Sequence, residues 1–319
     1  MTFYEISGCV FAALTLLLGL RFARTRSQGF GLTGALSFFC LSMTLYCFTA
    51  PFLQGNYELW GLLGTEGIIL LLVILLPRFR SAEMDAEGKP LPLFSFAVPS
   101  WRHTLGGMLL LIGGANAAST ASQLLYQLFP KAEQQVMSMN AHLSGFNLPL
   151  TLCATVLAPA VCEELLHRGV ILGAMRGRYN DTFIVLVGGL IFGVFHMDPA
   201  RLLATAVMGM VLTYAGLRSG TVLLPILMHA ANNLYSLFIM NLIGDRLEEL
   251  PLVAETPPQE GIWVILYSIA IALLFLHWGW RWLRDPKDRG LRSPMVPIGI
   301  AMALAAAAYI VAALVRWGA

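Results

Sequence analysis

Apolar residues in this chain fall in long unbroken runs, not in the every-other-residue alternation of a half-buried strand. Ten such runs can be marked: 4–21, 30–53, 57–77, 104–128, 148–174, 183–197, 200–218, 221–243, 262–282 and 296–316. A bilayer core about 30 Å thick is crossed by roughly 20 apolar residues in a helix. The runs therefore predict an all-α, polytopic transmembrane bundle of about ten helices. A transmembrane barrel would show weaker, alternating segments of about ten residues. The first run lacks a charged leading segment and a small-x-small cleavage site, so it reads as a helix and not as a signal peptide.

The polar positions between the runs alternate in charge. Arg21, Arg24 and Arg26 follow the first run; Arg78, Arg80, Lys89 and Arg102 separate the third from the fourth. Arg176 and Arg178 follow the fifth, Arg218 the seventh, and Arg281, Arg284, Lys287, Arg289 and Arg292 the ninth. These are fifteen of the twenty basic residues; the other connections and ends hold only Lys131, Arg201, Arg246 and Arg316. The positive-inside rule then puts both termini outside the cytoplasm, in a multi-pass protein of the bacterial inner membrane. The acidic stretch 245–260 suits an external loop. No inverted repeat of the transporter kind is evident.

Composition agrees with the pattern. Hydrophobic residues make up 57% and charged residues 12%, against roughly 45–50% and about 25% in soluble proteins. So little charge cannot cover a soluble globule, and so much apolar surface excludes disorder. A net charge of +2 carries no nucleic-acid footprint. Cys9, Cys40, Cys47, Cys153 and Cys162 all lie in apolar runs and read as small buried hydrophobes.

Ionisable groups inside membrane helices cost several kcal/mol and point to function. Here they are few: Glu163, Glu164, His167 and Arg168 in APAVCEELLHRG, His196 closing GLIFGVFHMD, His229 in LLPILMHAANNL with Asn232 and Asn233, and Glu66 in LLGTEGIILLL. Glu164 and Arg168 are four apart and share a helix face; Glu163 is rotated about 100° from them. Phe192 and His196 are also four apart, as are His229 and Asn233. At 1.5 Å per residue, Glu163 lies roughly 17 Å from the cytoplasmic end of its helix, His196 about 20 Å from the start of the sixth run and His229 about 13 Å from the start of the eighth, all near mid-membrane. That depth requires RGVILGAM to continue the helix of the motif or to re-enter the bilayer, and it predicts one polar cavity lined by Glu163, His196, His229 and Asn233. A carboxyl in such a place can serve as a general base, a His beside it can hold a water, and a second His with an Asn amide can donate to a developing oxyanion. No Ser or Cys stands beside a base as a nucleophile.

The three motifs, E-E-x-x-x-R (Glu163, Glu164, Arg168), F-x-x-x-H (Phe192, His196) and H-x-x-x-N (His229, Asn233), occur in that order on separate apolar runs. In this they resemble the CPBP family of CAAX-protease and bacteriocin-processing intramembrane enzymes, also called ABI or Rce1-like. The resemblance covers about residues 148–243. It implies a metal-free glutamate protease in which Glu163 and His196 activate water, His229 and Asn233 stabilise the oxyanion, and Glu164, Arg168 and Phe192 support the structure. It also implies a membrane-embedded or lipidated protein or peptide substrate. His167 stands where many members carry an aromatic residue. On this reading the chain divides into N-terminal membrane helices (1–103), a CPBP-like catalytic core (104–243), and an external loop with C-terminal membrane helices (244–319).

Three other readings compete. Two His and a Glu also suit catalytic zinc, although no H-E-x-x-H occurs. A non-catalytic membrane scaffold or immunity protein would keep the fold without needing a second buried glutamate. A proton-coupled transporter would use Glu163 or Glu66. Gly189 and Gly193 form a small-xxx-small face, as expected for close helix packing.

Overall fold

The computed structural model describes residues 2–24, 30–76, 94–129, 147–243 and 258–284, with isolated positions between 131 and 136 and between 307 and 315. Among the described residues there is no strand, and eight helical segments stand where the apolar runs predicted about ten. They are α1 (Phe3–Arg24), α2 (Leu32–Leu75), α3 (Trp101–Leu128), α4 (Leu148–Met175), α5 (Asp181–Phe195), α6 (Leu202–Ser219), α7 (Leu223–Ile243) and α8 (Pro258–Leu283). Two causes explain the difference. The run 296–316 falls almost entirely outside the described residues. The runs 30–53 and 57–77 form two helical arms taken together as α2, joined through a kink at Glu58.

α2 is nonetheless a hairpin. Its 44 residues would make a rod of about 66 Å if straight, twice the bilayer core. The chain reverses at Glu58, whose φ of 50° and ψ of −119° lie outside the helical region. Gln54 Nε2 donates to Thr65 Oγ1 at 3.2 Å, across eleven residues that a straight helix would hold about 16 Å apart. Gly61 sits where the arms cross, and a Cβ there would overlap the Leu53 carbonyl.

Five segments are long and apolar enough to cross a membrane: α1, α2, α4, α6 and Gly261–Leu283 of α8. The chain is a multi-pass membrane protein. α3 is long enough, at 28 residues, but Asn116, Ser119, Thr120, Ser122 and Gln123 make its second half more polar. α5 has 15 residues, about 22 Å, less than the bilayer core.

Packing groups the chain into two units: residues 1–98, 147–180 and 220–230, and residues 99–146, 181–219 and 231–319. In the first, α2 packs on α1 and on the middle of α4. In the second, α3 packs on α8 and α6, and α5 on α6. Gly193 makes the last contact close, since a Cβ there would stand 2.9 Å from the Leu202 carbonyl; this is the close packing that the small-xxx-small spacing predicted. Within each unit the connections assigned to one membrane side also meet. Trp101 at the start of α3 lies against Trp282 at the end of α8, ring centroids 5.5 Å apart. Ser95 accepts from the backbone of Val222 at 2.9 Å and from the Thr221 hydroxyl at 3.0 Å.

Candidate active site

α4 carries the first motif and runs through RGVILGAM to Met175, the first of the two courses that the depth argument allowed. It is not a uniform α-helix. Two wide π-type turns, Leu152–Leu157 and Leu165–Ile171, flank a short α-helical stretch, Ala158–Glu164. Pro159 has no N–H and crowds the carbonyl four residues back; the wide turn before it accommodates both. The second wide turn begins immediately after the paired glutamates. π turns arise by insertion of one residue and are frequent at functional sites. Periodicity at 3.6 residues does not reveal them.

In the first unit, Glu163 is 6% exposed and Glu164 fully buried. Arg168 Nη1 donates to Glu164 Oε1 at 2.7 Å. His229, on α7, donates from Nδ1 to the same oxygen at 2.9 Å. One carboxylate oxygen therefore holds two donors from two helices, and Glu164 Oε2 has no hydrogen-bond partner among the described residues. A carboxylate only accepts, so the Nδ1 proton of His229 is fixed and the ring turns Nε2 away from Glu164. His167 donates from Nδ1 to the Glu163 carbonyl at 2.8 Å, and its ring lies edge-on to Phe39 of α2. The glutamates thus differ in surroundings: side-chain donors converge on Glu164, while Glu163 has its backbone carbonyl held by His167.

In the second unit, His196 follows the last residue of α5. Its Nδ1 donates to the Phe192 carbonyl at 2.8 Å, and its ring stands 4.8 Å from that of Phe192. A carbonyl only accepts, so the proton of the neutral ring sits on Nδ1 and Nε2 carries the lone pair. Met197, at φ 52°, ends the helix. Asp198 then accepts from the Ala200 backbone and from Arg201, both at 2.8 Å, and so fixes the turn into α6. On α7, Asn232 Nδ2 donates to Asn233 Oδ1 at 3.3 Å.

The structure therefore brings together Glu164, Arg168 and His229 in one unit, and Phe192 with His196 and Asn232 with Asn233 in the other. His229 and Asn233 share a face of α7 by their spacing. The parts played by His167 in holding the Glu163 carbonyl and by Asn232 in orienting Asn233 were not foreseen. The i,i+4 spacing from Glu163 to His167 was the available signal for the first. Among the described residues no three of His, Cys, Asp and Glu form a group that could hold a metal ion.

Residues 145–235 match the family model described as "Type II CAAX prenyl endopeptidase Rce1-like". The Bacillus subtilis (strain 168) protein "Putative membrane peptidase YdiL" is 30% identical over 184 residues, 57% of this chain and 70% of that one. The chain belongs to the Rce1-like family. An Escherichia coli relative, "Uncharacterized 24.3 kDa protein", is 30% identical over 181 residues, 55% of this chain and 78% of its own. "Uncharacterized protein YyaK" of Bacillus subtilis (strain 168) is 28% identical over 137 residues, 40% of this chain and 46% of its own. No solved structure matches. The Rce1-like match contains all three motifs, from Glu163 to Asn233.

Proposed function

We propose that this Rce1-like protein is an intramembrane endopeptidase of the glutamate type, acting on a membrane-embedded or lipid-linked protein or peptide. The observation that carries the proposal is the different treatment of the two adjacent glutamates. Arg168 and His229 both donate to Glu164, which supports a charge-balancing and orienting role for Glu164 and the role of base for Glu163. In this mechanism a water held by Glu163 and by Nε2 of His196 loses its proton to Glu163. The water oxygen forms a bond to the scissile carbonyl carbon, and the carbonyl electrons move to the oxygen. His229 and Asn233 donate to that oxyanion, where preorganised donors are worth most. Collapse breaks the carbon–nitrogen bond, and the proton passes from Glu163 to the leaving amine. The products are a carboxylate and an amine, and the scheme uses no metal. The helices outside 104–243 select the substrate.

The test is Glu163→Gln, which keeps the shape of the side chain and removes the proton acceptor. Peptides released from the membranes of cells carrying wild type are compared with those from the variant, in the presence and absence of a chelator. We expect the variant to melt like wild type in detergent, its products to vanish, and the chelator to leave wild-type turnover unchanged. Full turnover by Glu163→Gln would overturn the assignment of the base; loss of turnover with chelator would favour the zinc reading.

A further inference from the structure

One end of the α3–α8 helix pair, in the second unit, carries a set of arginines laid on tryptophan rings. The guanidinium carbon of Arg102 lies 5.7 Å from the centre of the Trp282 ring, that of Arg281 5.7 Å from Trp278, and that of Arg284 5.4 Å from Trp280. Trp101 closes the group against Trp282. Trp101 is 69% and Trp278 45% exposed, and Arg102 and Arg281 are exposed. Among the described residues neither of these two arginines has an acidic partner. The support is rigid, because a Cβ on Gly113 would stand 2.7 Å from the Leu276 backbone nitrogen and one on Gly279 2.6 Å from that of Leu110. The helices meet backbone to backbone and hold both sides of the group in register.

The chemistry of the group is specific. A guanidinium stacked on an aromatic face keeps its N–H edge free, and its planar fork matches two phosphate oxygens better than an ammonium does. Tryptophan concentrates at the headgroup level of a bilayer. The charge bias along the chain assigns this end of both helices to the cytoplasmic side, where the leaflet is anionic.

The geometry points to an acidic-phospholipid site at this end of the α3–α8 pair, in which Arg102 and Arg281, stacked on Trp282 and Trp278 four residues apart on one face of α8, take the phosphate of an anionic headgroup and Trp101 packs on the lipid beside it; Arg284 and Trp280 stand on the other flank of α8. The assignment is independent of the peptidase reading, and its readout is binding.

Full-length protein is stripped of lipid in detergent and given phosphatidylglycerol, phosphatidylcholine or inorganic phosphate, with retention counted by native mass spectrometry. Each basic residue near an anionic surface is worth about 1 kcal/mol, or about fivefold in affinity. Arg102→Gln/Arg281→Gln should therefore bind phosphatidylglycerol about 25-fold more weakly than wild type. Arg21→Gln/Arg24→Gln removes the same charge elsewhere and should change retention only slightly. Arg102→Lys/Arg281→Lys keeps the charge but not the stacked fork, and should lose at least fivefold. This lysine variant decides the question if the glutamine variant does not fold. Equal losses in the two glutamine variants, lysine equivalent to arginine, equal retention of phosphatidylcholine, or binding of inorganic phosphate alone would each overturn the assignment.

Discussion

Glu164→Gln tests the cluster that organises the candidate site. Glu164 Oε1 accepts from Arg168 at 2.7 Å and from His229 at 2.9 Å, and the side chains involved are at most 7% exposed. A glutamine fits the same space and offers the same acceptor oxygen, so shape is nearly unchanged. What it removes is the negative charge. Arg168 then loses the carboxylate that accepts from it, and breaking such a buried pair costs about 3–5 kcal/mol. The second effect falls on His229. Its Nδ1 proton is committed to Glu164, so Nε2 donates to an oxyanion only from the imidazolium form, whose positive charge the Glu164 carboxylate faces and a glutamine amide would not. Loss of one oxyanion donor lowers turnover about 100- to 1000-fold. Detergent melting and single-turnover kinetics are to be read on Glu164→Gln and on Glu164→Gln/Arg168→Met. Removing the Arg168 charge should restore most of the stability in the double variant, while turnover stays low because His229 still lacks its carboxylate. Restored turnover in the double variant would refute the reasoning and reduce Glu164 to the counter-ion of Arg168.

Asn233→Ala should lower the single-turnover rate constant about 100- to 1000-fold with little change in substrate affinity, and Asn232→Ala, which loses only an orienting contact, should lower it about tenfold or less. Glu66 is 4% exposed and its Oε2 has no hydrogen-bond partner among the described residues, so Glu66→Leu should raise detergent stability by about 1–3 kcal/mol; a fall would show that the carboxyl has a partner in the membrane. Gly61→Ala should destabilise by about 1–3 kcal/mol, because its Cβ has no room against the Leu53 carbonyl at the crossing of the α2 arms, and an unchanged melting temperature would contradict that crossing.

Hydropathy exposed most of the fold because the bilayer imposes one rule on every spanning segment: backbone groups must be satisfied within it. Long apolar runs can then only be helices, and α1, α6 and α8 lie where their runs predicted. The rule is silent on how a chain turns between spans. The runs 30–53 and 57–77 left Gln54, Gly55 and Asn56 between them, and the reversal comes two residues later, at Glu58, on a backbone of positive φ. Pro51 sits inside the first arm of α2. α5 shows the other limit. Its 15 residues form one apolar run, yet nothing in the run states that the helix stops at Phe195 and turns through Met197.

At the candidate site the local pairings were legible and the long-range one was not. Spacing of four put Arg168 against Glu164 and the His196 ring over Phe192, because such neighbours share a helix face whatever the fold. The contact from Glu164 to His229 spans 65 residues and no periodicity encodes it. It changes the meaning of the first motif. As a pair, Glu164 and Arg168 are neutral and need nothing further; a third group donating to the same oxygen means that the carboxylate also orients His229, the oxyanion donor of the proposed mechanism. The EE doublet then has a physical rationale. A base and an orienting anion must both stand near one substrate without competing for the same cation, and consecutive helical residues achieve this by pointing about 100° apart. Glu164 takes Arg168 and His229, which leaves Glu163 to face the water in the proposed mechanism. Exchanging the two functions would require Arg168 to move by one position, so Glu163 cannot replace Glu164 by a rotamer change alone.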